Sequence, residues 1–93
     1  MRFNTDLGEP SPTGASAICR IQAEGIRWRV LVETFEGGSE WSGRLVFHPE
    51  GPKALLIPRT GPTALRGRSR EEVIAAVHDL PEDRLRQLLH SLG

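Results

Sequence analysis

From Ala17 to His48 apolar and polar side chains largely alternate, and after Ser69 the apolar spacing changes to that of helices. A period of two followed by a period near 3.6 predicts strands first and helices afterwards. The alternation places strands over 17–24, 26–36 and 40–48, punctuated by Gly25, by Gly37-Gly38 and by Pro49-Glu50-Gly51-Pro52, all residues that favour turns. A fourth strand is expected over Lys53 to Pro58, at an edge, where the N–H that proline lacks is least missed. Val73, Ile74, Val77 and Leu80 then mark one helix, and Leu85, Leu88, Leu89 and Leu92 a second. Pro81 suits the first helical position of the latter, since an N–H there has no intrahelical partner.

Tight two-residue loops turn this pattern into a register. A loop at Gly37-Gly38 sets Trp28 beside Phe47, Val30 beside Leu45, Val32 beside Gly43 and Thr34 beside Trp41. A loop at Glu24-Gly25 sets Ile21 beside Trp28, Cys19 beside Val30 and Ala17 beside Val32. Closing the last loop between His48 and Lys53 brings Ala54 to Phe47 and Leu56 to Leu45. The three turns gather the same residues on one face, which a slip of one residue would scatter. Two amphipathic helices need such a face, so the expected fold is α+β: a four-stranded antiparallel meander carrying two C-terminal helices on one side, ββββαα.

At 93 residues one domain is expected. Residues 1–16, rich in Pro, Gly, Ser and Thr, read as a flexible arm, and 17–93 as the folded unit. Twelve basic residues balance twelve acidic ones, so no global field draws the chain to nucleic acid or an anionic membrane. Cys19 is the single cysteine; it cannot form an internal disulfide, and its place opposite Val30 suggests a core residue. No long apolar run occurs, and the first 16 residues lack the continuous apolar stretch of a secretory leader. A cytoplasmic protein without membrane contact is expected.

The stretch Thr60–Val77 comes nearest to a chemical motif. Gly67 with Arg66, Arg68 and Arg70 precedes a helix start, where exposed N–H groups can hold an anion. Ser69 with Glu72 instead fits a capping box, in which the hydroxyl accepts from the N–H of Glu72 and the carboxylate reaches back. Capping is the simpler account, because Glu71 and Glu72 occupy the anion's place. Lys53 to Arg70 still holds five basic residues and no acidic one. His48, His78 and His90 lie too far apart in sequence for a zinc motif, and no Gly-x-Ser-x-Gly elbow occurs. Neither a cofactor, a metal nor a catalytic group is expected.

The sheet's other face is the candidate site. The register sends Ile18, Leu31, Val46, Leu55 and Ile57 there, together with Arg20, Arg27, Arg29 and Arg44. Solvated outer faces are normally polar. Three accounts fit: a curled sheet or crossing helix that makes the aliphatics internal; a protein interface or homodimer using Ile18, Leu31, Val46, Leu55, Ile57, Arg20, Arg29 and Arg44; or single-stranded nucleic acid held by the arginines. Anion or nucleic-acid contacts would come from Arg27, Lys53, Arg59, Arg66, Arg68 and Arg70. A non-catalytic interaction module bound to a protein partner or to itself is the leading expectation, with nucleic acid as the alternative.

Overall fold

The computed structural model describes residues 12–51 and 57–93. Lys53, Ala54, Leu55 and Leu56, with the pairings expected of them, lie outside the described residues, as do residues 1–11 of the expected arm. The elements run β1 (Gly14–Ala23), β2 (Ile26–Gly37), β3 (Glu40–Pro49), β4 (Arg59–Thr60), β5 (Leu65–Gly67), α1 (Arg70–His78) and α2 (Glu82–Ser91). The fold is α+β, an antiparallel sheet ordered β1-β2-β3-β4 with β5 also on β3, followed by the two helices.

Turn chemistry sets the registers. Glu24 and Gly25 both take positive φ, 54° and 74°, the signature of a type I′ hairpin turn. The pairs Ile21–Trp28 and Cys19–Val30 form as expected. The next turn is Gly38-Ser39, with a positive φ of 68° at Gly38 and none at Ser39, which fits type II′ and its glycine in first place. That loop lies one residue later than the sequence suggests. Val30 therefore meets Phe47, Val32 meets Leu45, Thr34 meets Gly43 and Trp28 meets Pro49. A displacement of two keeps every side chain on its expected face.

Four expectations need correction. The β1–β2 register shifts between Ala17 and Cys19, and this bulge turns Ile18 to the helix side, where it packs partly buried against the core. Strand β1 starts at Gly14, so 14–16 are sheet and not arm; Thr34 Oγ1 donates to the Gly14 carbonyl at 3.3 Å. Ile57 and Pro58 lie outside any strand. Pairing with β3 is made instead by Arg59–Thr60 at Val46–Phe47 and by the unexpected β5 at Trp41–Gly43. Pro81 is the N-cap of α2, extended at φ −65° and ψ 153°, one residue ahead of the expected position.

One side of the sheet and both helices enclose the core. Trp28, Val30, Val32, Leu45 and Phe47 meet Val73 and Val77 of α1 and Leu85 and Leu89 of α2. Trp28 is fully buried and its Nε1 donates to the Ala23 carbonyl at 3.0 Å, which satisfies its one polar atom. Gly43 lets α1 approach: a Cβ there would lie 2.6 Å from Val73 Cγ1. The start of α1 is capped as expected, Ser69 Oγ accepting from the Glu72 N–H at 3.1 Å. The Glu72 carboxylate reaches one residue beyond Ser69, to the Arg68 N–H at 2.8 Å.

Candidate interaction face

The side of the sheet opposite the helices is organised in cross-strand rows. Arg20 of β1 pairs with Arg29 of β2, which pairs with His48 of β3. One row towards the β1–β2 turn, Gln22 pairs with Arg27, whose carbonyl accepts from the Glu50 N–H at 2.9 Å. In the other direction Ala17, Leu31 and Val46 form an apolar row that ends in Thr60. Beyond it, Ala15, Glu33 and Arg44 lie side by side, followed by Phe35 with Ser42 and Arg66.

Charge is distributed unevenly over these rows. Arg44 Nε donates to Glu33 Oε1 at 2.7 Å, and its guanidinium lies 5.0 Å from the centre of the Phe35 ring. Both Arg44 and Phe35 are therefore engaged within the chain. At the opposite end Arg20 Nε donates to Glu50 Oε1 at 2.9 Å, a pair largely open to solvent on the arginine side. Arg27, Arg29 and His48 are exposed, and none takes part in an ion pair among the described residues. Like charges directly opposite across strands repel. Glu50 relieves Arg20, and among the described residues no counter-charge pairs with Arg29.

Among the described residues the aliphatic part is smaller than the sequence implies. Val46 lies on this face as expected but is only 5% exposed, and it stands outside the core cluster on the helix side. Leu31 is half-buried. Ile57 is 84% exposed but off the sheet, and Ile18 faces the other way.

The expected anion contacts do not converge. Arg59 forms two bonds to the Glu24 carboxylate, at 2.9 and 3.1 Å, and one to the Leu89 carbonyl at 3.2 Å, while its guanidinium covers the Trp28 ring at 4.8 Å. His90 Nδ1 joins at 3.2 Å from Glu24 Oε2. These hydrogen bonds, from Arg59 first and His90 second, hold the Glu24 carboxyl below its usual pKa. Arg70 bonds Ser16 Oγ at 2.7 Å, joining α1 to β1. Arg66 turns back to the Thr63 and Leu65 carbonyls at 3.0 and 3.2 Å. The Arg68 backbone N–H is bound by Glu72. Arg59 and Arg70 thus hold the fold together; of the described candidates Arg27 lies beside the cationic row, and Arg66 lies at the far end of the same face.

Cys19 pairs with Val30 as expected yet is exposed. Partial burial first, and the Glu82 carboxylate second, push its thiol pKa up. An apolar cavity of about 370 Å³ lies between α2 and the segment preceding β5, walled by Phe47, Pro62, Leu65, Leu80, Leu88 and Leu92. No cluster of three or more His, Cys, Asp or Glu residues with metal-binding geometry occurs among the described residues, nor is any helix there long and apolar enough to cross a membrane.

The sequence reading did not name His48, Glu50 or Glu33 for this face. Strand parity already places Glu33 and His48 there, and the register shift of two changes only their neighbours, to Arg44 and Arg29. No protein-family model, curated protein or solved structure matches the chain.

Proposed function

We propose that the chain is a small non-catalytic interaction module that docks a protein partner on its outer sheet face. The observation that carries this reading is the exposed row Arg20–Arg29–His48 with Arg27 beside it, next to the half-buried Leu31 and short of counter-charge among the described residues. Arginine beside aliphatic surface is the composition of protein interfaces, where a guanidinium combines an apolar plane with directional donors. The row also gives the nucleic-acid reading a foothold. Single-strand binders, however, stack bases on exposed aromatic rings, and here Phe35 is 7% exposed while Trp28 and Phe47 are fully buried.

The test is comparative cross-linking with wild type and the double variant Leu31→Asp, Arg29→Glu, both verified as folded by near-ultraviolet circular dichroism. Wild type is expected to form specific protein adducts that the variant loses. Identical adducts for both would refute the docking face. Light scattering over a concentration series identifies a second copy as the partner if mass doubles in wild type and not in the variant. Oligonucleotide binding that falls steeply with salt and vanishes in the variant would move the assignment to nucleic acid.

A further inference from the structure

Strand β1 is ten residues long and ends the sheet on one side. The far side of β3 is taken by two short pieces, β4 and β5, of two and three residues. Among the described residues the long free margin of the sheet is therefore β1. From Cys19 to Ala23 its ladder with β2 is regular. Around a two-residue loop the hydrogen-bonded pairs alternate, so the backbone groups of Arg20 and Gln22 point away from β2. A donor already reaches them: Arg86 of α2 donates through Nε to the Gln22 carbonyl at 2.8 Å, while Glu82 and Asp83 hold its other nitrogens.

We infer that this edge receives an extended, acidic segment of the partner as an additional antiparallel strand. The inference rests on the docking face proposed above and names the chemistry of its occupant. A strand added outside β1 would place one side chain directly beside Arg20, prolonging the row Arg20–Arg29–His48, and another beside Gln22, in the row of Arg27. Carboxylates two residues apart meet both positions on one face. Backbone bonds supply attachment and alternate side chains supply selection, as in other strand additions. Charge argues against a second copy of β1 in this place. Its outer-face residues Ala15, Ala17, Arg20 and Gln22 include no acid and would add another arginine to the row. Arg86 must release the Gln22 carbonyl on binding, and its two carboxylate partners keep it satisfied when it does.

The experiment titrates the full chain with an end-blocked nonapeptide of alternating glutamate and valine, followed by fluorescence anisotropy and by amide shifts of Cys19 to Ala23. Saturable binding at low salt is expected, with the largest shifts at Arg20 and Gln22. Arg20→Glu or Arg29→Glu should weaken it about tenfold by reversing the cross-strand pairs. Arg86→Ala should tighten it, because the edge carbonyl is then free. N-methylation of the peptide's edge-facing amides should abolish it. Binding indifferent to N-methylation, or equal for a lysine–valine peptide, overturns the proposal. So does an absence of binding at millimolar peptide, or a dimer formed through β1. An oligonucleotide that displaces the peptide and shows the same dependence on Arg29 would assign the row to nucleic acid and overturn it too. If partner adducts depend on Leu31 and Arg29 while the peptide leaves β1 untouched, strand addition falls and the docking face stands.

Discussion

Substituting Gly43 by alanine tests how α1 rests on the sheet. Gly43 is buried in β3 between Thr34 and Leu65. An added Cβ would stand 2.6 Å from Val73 Cγ1 and 3.3 Å from both the Glu33 carbonyl oxygen and Val32 Cγ2. Carbon atoms prefer about 3.5–4.0 Å, so Val73 would have to withdraw by about an ångström. It is fully buried and β-branched, hence stiff at χ1. Overpacking of this kind costs ~1–3 kcal/mol. Alanine restricts the unfolded chain and returns ~0.4–1 kcal/mol, so the clash wins by ~1–2 kcal/mol. For a domain of this size the melting temperature should fall by roughly 5–15 °C.

Urea titration of Gly43→Ala should show a lower midpoint with an unchanged slope, the mark of lost stability without altered compactness. Val73→Ala alone should also destabilise, through the cavity it leaves. The double variant should lose at least ~1 kcal/mol less than the two single losses combined, because the smaller side chain makes room for the new methyl. A neutral or stabilising Gly43→Ala, or strictly additive losses, would refute the close approach of α1 to β3.

Ser69→Ala removes the hydroxyl that caps α1 and should cost about 1 kcal/mol, with faster amide exchange in the first turn of α1 and no change in α2. Glu24 has a lowered pKa, chiefly from Arg59, so its contribution is complete above the ordinary glutamate pKa and disappears as pH falls through the lowered folded value; Glu24→Gln should flatten that acid limb in melts taken across pH, and an unchanged limb would count against the Arg59–Glu24–His90 cluster. The raised pKa of Cys19 predicts a slow reaction with Ellman's reagent near neutral pH that accelerates as pH rises. Glu82→Gln should recover only part of the rate, since burial is the larger cause, and full recovery would reverse that order.

The faces of the sheet were legible in the sequence because parity survives an even error. The β2–β3 loop was placed one residue early, the pairing moved by two, and Trp28, Val30, Val32, Leu45 and Phe47 still reached the core. An odd shift does not forgive, and the bulge before Cys19 sent Ile18 to the opposite side. Nothing local announces that bulge, since Ala17, Ile18 and Cys19 suit either register. Strand β5 was hidden for another reason. Leu65-Arg66-Gly67 has no strand pattern of its own and pairs because β3 presents a free margin at Trp41–Gly43. The start of α1 was legible because a cap is a local chemical event that Ser69 and Glu72 complete between them.

The outer face was harder to read because its meaning lies in which charges are neighbours. The expected register set Arg29 beside Val46 and Glu33 beside Ser42, mixing charge and aliphatic surface evenly. The observed one sets Arg29 beside His48 and Glu33 beside Arg44, dividing the face into a cationic end and a neutralised end. Among the described residues apolar surface is then a minor part of this face. Val46 is already covered, Leu31 is half-buried and Ile57 stands away from the sheet. Removing the remainder of one leucine from water contributes well under the ~1.5–3 kcal/mol of a whole side chain, too little to hold a partner. Backbone groups along β1 and guanidinium groups unpaired among the described residues remain, Arg27 and Arg29, and both are directional. Affinity founded on them is sensitive to salt, since exposed charges are screened within about 10 Å at moderate ionic strength. It is also selective for extended chains. In a chain of zero net charge the proposed docking therefore rests on local imbalance, since among the described residues Glu33, Glu24 and Glu82 pair with Arg44, Arg59 and Arg86 and not with Arg29.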